Sequence, residues 1–137
     1  MKTKSNSRNL FNLRSNTSVM ANTILSIEDS DFERKVIKNM MEERGSELIQ
    51  ASNGEEGLQK FEEESPDLVL LDLRLPDMEG LEVLEEIQER SPGAKVIIVS
   101  IVREDETIEE AKEIGAEEYL EKPIDEDELY EAIKRVI

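Results

Sequence analysis

The chain contains no cysteine, no histidine and no tryptophan, and only two tyrosines and three phenylalanines among 137 residues. Without cysteine there is no disulfide, no thiolate nucleophile and no zinc–thiolate centre. Without histidine there is no Ser-His triad and no imidazole metal site, and the chain cannot itself be a phosphohistidine donor. Basic residues are scarce too: 17 stand against 34 acidic ones, for a formal net charge of −17. That balance opposes direct binding of nucleic acid, which needs a basic face to displace phosphate counterions, and favours cations or basic surfaces as partners. No apolar run approaches the roughly 20 residues that span a bilayer, so membrane insertion is not expected and the cytoplasm is the expected location.

What is present is enough for one compact domain. Residues 1–21 differ from the rest. They are rich in Asn and Ser, carry Lys2, Lys4, Arg8 and Arg14, and contain no acid. They read as a disordered or leader-like basic tail, with an organelle transit peptide as the less favoured reading, and the folded domain is expected over residues 22–137.

From Thr23 onward, short apolar strands alternate with helical periodicity, the signature of βαβ units and a parallel sheet. TILSI is the first strand. Ser30 and Glu33 form an S-x-x-E capping box that opens a helix with Phe32, Val36, Ile37, Met40 and Met41 turned inward, and Gly45 closes it. SELIQA and DLVLLD are the next strands, separated by a helix from about Glu55 whose core face is Leu58 and Phe61. After LPDMEG comes a helix with Leu81, Val83, Leu84 and Ile87, stopped by Ser91-Pro92-Gly93. AKVIIVS is a strand apolar on both faces, as central parallel strands are. Ile108, Ala111 and Ile114 mark the following helix, EEYLEK the fifth strand, and Leu129, Ile133 and Val136 a last helix capped within Asp125 to Glu128. The pattern gives five strands and five helices.

Polar residues stand at carboxyl ends of these strands, where open α/β sheets bind ligands. Strand one ends in Glu28-Asp29, strand three in Asp72, strand four in Ser100 and strand five in Lys122. Each has an ordinary explanation alone: a solvated acidic loop, a hydroxyl satisfying a carbonyl, a strand end. If strands one, three, four and five are neighbours, the side chains converge on one crevice. Carboxylates about 4 Å apart repel by roughly 4 kcal/mol at an effective dielectric of 20. A divalent cation resolves that repulsion, and an all-oxygen set with open positions suits Mg²⁺.

The motifs ILSIEDS, LVLLDLRLPDMEG, VIIVS and YLEKP, in this order and spacing over Asn22 to Ile137, resemble the receiver domain of bacterial two-component response regulators, chemotaxis-regulator-like. The resemblance implies a doubly wound, flavodoxin-like fold with strand order 2-1-3-4-5. It implies that Asp72 accepts a phosphoryl group from a histidine kinase or histidine phosphotransfer protein, and that Glu28 and Asp29 hold Mg²⁺ with it, Asp29 directly and Glu28 through water. Arg74 would lend the metal its backbone carbonyl, and its side chain would tune hydrolysis. Lys122 would pair with the phosphoryl oxygens and Ser100 would reorient toward them. A cis bond before Pro123 would aim the lysine inward, and Tyr119 would be the aromatic switch. Output would pass through the surface of the fourth helix, fifth strand and fifth helix to a downstream target, expected to be basic because Glu104, Asp105, Glu106, Glu109, Glu110, Glu113 and Glu126 crowd it. The chain ends with the fifth helix, so a stand-alone switch is expected, one that catalyses its own phosphorylation and slow dephosphorylation and is not a turnover enzyme.

Two positions depart from the family pattern. Ile101 follows Ser100 where a small residue is usual and would narrow donor access, tuning the rate. Gly57 stands where alanine is usual and would loosen the second helix. Ile101 is also the best support for a second reading, a pseudo-receiver that binds its partner regardless of phosphorylation. A third, a Mg²⁺-dependent phosphohydrolase of the haloacid-dehalogenase kind, requires an acid two residues after the nucleophile, where this chain has Arg74. Dinucleotide binding fails because no G-x-G-x-x-G follows the first strand.

Overall fold

The computed structural model describes residues 22–137; the expectation for residues 1–21 lies outside the described residues. In chain order the elements are β1 (Thr23–Ile27), α1 (Asp31–Glu43), β2 (Glu47–Ala51), α2 (Gly54–Glu64), β3 (Leu68–Leu71), α3 (Gly80–Arg90), β4 (Val96–Ser100), α4 (Asp105–Ile114), β5 (Glu118–Glu121) and α5 (Glu126–Val136). All strand pairings are parallel, in the order β2-β1-β3-β4-β5. The five-stranded parallel α/β sheet is the one that the alternating pattern implied, and its flavodoxin-like strand order is the one that the resemblance implied.

Strand periodicity of two assigns each apolar residue to one of two cores. Leu25, Ile27, Val69, Leu71, Val96 and Ile98 face Leu58, Phe61, Val83, Leu84, Ile87 and Ala111 of α2, α3 and α4. Their neighbours Ile24, Leu68, Leu70, Ile97 and Val99 face the other way, against Ile37 and Met41 of α1 and Leu129, Ala132, Ile133 and Val136 of α5. Because both faces are covered, β3 and β4 are buried along their whole length, and each such side chain contributes about 1.5–3 kcal/mol of burial.

Phe32 corrects one expectation. It is 73% exposed, because the buried stripe of α1 runs through Ile37 and Met41 and a residue five positions before Ile37 sits about 140° round the helix from it. Two glycines are explained by close approach. A Cβ at Gly80 would lie 2.3 Å from the Leu73 Cα, so only glycine lets α3 begin against that backbone. One at Gly57 would lie 2.5 Å from the Ile27 Cδ1, so whatever helix propensity is lost there permits α2 to lie close on β1.

Candidate functional site

The parallel ladder continues one residue past three strands and fixes the residues that matter. The Glu28 N–H donates to the Ala51 carbonyl at 2.9 Å, the Asp72 N–H to Ile27 at 3.1 Å and the Lys122 N–H to Ser100 at 3.0 Å. Glu28, Asp72, Ser100 and Lys122 thereby reach one edge of the sheet, and all four are buried.

Their side chains meet. The Lys122 ammonium donates to Glu28 Oε1 at 2.8 Å and to Asp72 Oδ2 at 2.9 Å, and it is also paired with the Glu33 carboxylate. Burial alone would lower the lysine's pKa; the hydrogen bonds to Glu28, Glu33 and Asp72 outweigh it and hold the pKa above the ordinary value, so the ammonium is charged. Burial raises the pKa of Glu28, and the charge of Asp72 adds to the rise, while Lys122 and the Ser30 N–H hold part of it back. The other Asp72 oxygen accepts from the Arg74 N–H at 3.0 Å.

Ser100 Oγ accepts from the Val102 N–H at 3.2 Å, and the Tyr119 hydroxyl donates to the Val102 carbonyl at 2.7 Å. Tyr119 is half-buried against the core. Burial pushes its pKa up, the nearby Ser100 hydroxyl offsets part of that, and the charges of Glu104, Glu121 and Asp72 add to it. The Lys122–Pro123 bond is cis.

Not every candidate joins the cluster. Asp29 is exposed, and the three carboxylates whose oxygens lie within 4.8 Å of one another are Glu28, Glu33 and Asp72. Arg74 and Ile101 are exposed at the rim, Ile101 at 51%. Hard carboxylate oxygens this close fit a divalent cation of the magnesium class in their chemistry.

Sequence reasoning missed three residues. Glu33 fits the sequence pattern of a capping box, yet only Ser30 behaves so, accepting from the Glu33 N–H at 3.2 Å. The Ser30 N–H goes to Glu28 Oε2 at 3.0 Å, which leaves the Glu33 carboxylate to Lys122. Arg34 donates to the carbonyls of Glu28 and Asp29 at 2.8 and 2.9 Å and pairs with Asp31, clamping the acidic loop onto α1. Arg103 donates to the Lys122 carbonyl at 2.9 Å. A basic residue three positions after Asp31 was the available signal for Arg34; nothing comparable marked Arg103.

The response regulator receiver domain family matches this chain over residues 24–134. The chain belongs to that family. The receiver domain is 34% identical over 119 residues to the chemotaxis protein CheY of Bacillus subtilis, covering 86% of this chain and 99% of that protein. It is also 34% identical to the sporulation initiation phosphotransferase F of the same organism, covering 87% and 96%. Among solved structures, a CheY-like receiver domain from Methanospirillum hungatei superposes with a TM-score of 0.81 at 35% identity, over 85% of this chain and 93% of that one. CheY in the CheX-CheY-BeF3-Mg complex from Borrelia burgdorferi gives 0.82 at 26% identity, over 89% and 92%. The chain is therefore a two-component receiver domain, of the class of phosphoryl-accepting switches. No helix among the described residues is long and apolar enough to cross a membrane.

Proposed function

We propose that Asp72 is the phosphoacceptor and that residues 22–137 form the switch around it, with residues 1–21 as a basic, Asn/Ser-rich tail, disordered or leader-like. The observation that carries this reading is the buried contact of Asp72 with Lys122 at 2.9 Å, beside Glu28, at the carboxyl edge of the sheet. An Asp72 oxygen attacks the phosphorus of a donor phosphohistidine; the P–N bond breaks, the O–P bond forms, and the imidazole leaves with the bond's electrons. Such a transfer needs an in-line nucleophile and cations for the spreading charge, with no general acid from this chain. Mg²⁺, when bound, supplies part of that cation charge; Glu28, Asp29 and Asp72 would hold it, with the Arg74 carbonyl.

Lys122 is the resident cation and turns from carboxylate oxygen to phosphoryl oxygen as the product forms. The new group adds about −1.5 to −2 charge and fresh acceptor oxygens. Ser100 answers them by giving up the Val102 N–H. Since Val102 also holds the Tyr119 hydroxyl, the exchange is passed on to Tyr119 and to the surface of α4, β5 and α5. Arg74 and Ile101 at the rim would set the rates of transfer and hydrolysis. The donor is a histidine kinase or histidine phosphotransfer protein, and the target is a protein with a basic surface that meets the acids of α4. The relative crystallised with CheX, beryllofluoride and magnesium supports a partner that engages the activated form. The setting is the cytoplasm.

Beryllofluoride with Mg²⁺ tests the switch. In amide NMR spectra, resonances of Ser100, Val102, Tyr119 and α4 should move in wild type and stay fixed in Asp72→Asn. Equal binding of a target by wild type with and without the mimic, and no shift at Tyr119, would establish the pseudo-receiver instead.

A further inference from the structure

We propose that Glu33 is a working carboxylate of the divalent-cation pocket, raising its affinity for the ion, and that it does not serve α1 as a capping residue. The inference rests on the receiver reading and concerns a side chain that reading does not use. Glu33 belongs to the first turn of α1, and a glutamate three residues after a serine N-cap ordinarily folds back to the cap's N–H. Here Glu28 Oε2 already occupies that N–H at 3.0 Å. Glu33 Oε1 is shielded from solvent and makes no hydrogen bond besides its contact with the Lys122 ammonium. It lies within 4.8 Å of carboxylate oxygens of Glu28 and Asp72.

The charges point the same way. Glu28, Asp72 and Glu33 surround a single ammonium, which leaves two negative charges uncompensated, the charge a divalent cation carries. Asp29, proposed above as a ligand, is exposed outside this group, so its charge comes in addition. The Glu33 side chain is 27% exposed against 4% for Glu28 and 6% for Asp72, so it is the least enclosed of the three, although its Oε1 is itself shielded from solvent. Once Asp72 is esterified and Lys122 has turned to the phosphoryl oxygens, Glu33 remains as a fixed anion beside the ion. Its contribution is electrostatic at this range, directly or through a metal-bound water.

Magnesium titration by calorimetry, on wild type, Glu33→Gln and the exposed α1 control Glu42→Gln, tests this without any turnover. Glu33→Gln should weaken Mg²⁺ binding by about tenfold, equivalent to about 1.4 kcal/mol, with circular dichroism unchanged, and Glu33→Asp should recover part of the loss. Glu42→Gln should stay within about twofold of wild type. A Glu33→Gln affinity within twofold of a wild type that does bind Mg²⁺ overturns the role of Glu33 and leaves the receiver reading intact. A wild type that binds no Mg²⁺ overturns both.

Discussion

Replacing Lys122 with methionine removes the only cation among the described residues that touches Glu28, Glu33 and Asp72 together. The methionine keeps most of the side chain's volume, so the change is mainly one of charge. Three carboxylates whose oxygens lie within 4.8 Å of one another each repel a neighbour by roughly 3.5 kcal/mol at an effective dielectric of 20. Proton uptake and relaxation absorb part of that, and breaking one partner out of a buried ion pair costs about 3–5 kcal/mol. Against a domain stability of about 5–15 kcal/mol the loss is large. With a urea slope of 1–3 kcal/mol per molar, the unfolding midpoint should fall by roughly 2 M. Far-UV circular dichroism in EDTA at pH 7 reads it; the chain has no tryptophan to report by fluorescence. Adding Mg²⁺ should raise the midpoint more in Lys122→Met than in wild type, because the ion takes over as countercharge. Lowering the pH to about 5 should narrow the gap, because carboxylates left without a partner can be protonated. A midpoint within a few tenths of a molar of wild type, in EDTA at pH 7, would refute the claim that Lys122 neutralises this pocket.

Gly57→Ala should destabilise: the helix gains about 1 kcal/mol of propensity, and crowding of Ile27 costs about 1–3 kcal/mol. Pairing it with Ile27→Val should cost less than the two single changes added, read as a double-mutant cycle in urea. Gly80→Ala should cost more than Gly57→Ala, since its clash is with Leu73 backbone that cannot rotate away. Asp77 accepts from the N–H groups of Gly54 and Glu55 at 2.8 and 2.9 Å, so Asp77→Ala should cost about 1 kcal/mol, as loss of a helix cap does. Slight burial works to raise the Asp77 pKa, and the amides of Gly54, Glu55, Asp77 and Met78 outweigh it and lower it. A lowered carboxyl contributes stability above its unfolded pKa, about 3.9, and loses it as the pH falls through the folded value. The difference between wild type and Asp77→Ala should accordingly shrink in strong acid.

The elements were legible because their signals are local. The double-sided apolar runs LVLL and VIIVS, the SPG stop and the Asp125 cap each work within a few residues, and the observed boundaries follow them. Glu28, Asp72, Ser100 and Lys122 could be picked out because parallel strands must bring their carboxyl ends to one edge. Side-chain direction was less legible. The spacing of Phe32 to Val36 and Met40 suggests an inward place, whereas the angle of the buried Ile37–Met41 stripe puts it in solvent. Glu33 fitted a local capping rule, but a residue from the preceding strand end, Glu28, won the Ser30 N–H, and a lysine 89 positions later claimed the freed carboxylate. Competition between a local and a distant partner is decided by tertiary geometry, which no short window of sequence contains.

The most direct test of the account is intact mass after incubation with acetyl phosphate and Mg²⁺. Wild type should gain one phosphoryl group and Asp72→Asn none. A phosphorylated Asp72→Asn, or a wild type that gains nothing while still binding Mg²⁺, would contradict the assignment of Asp72 as the acceptor.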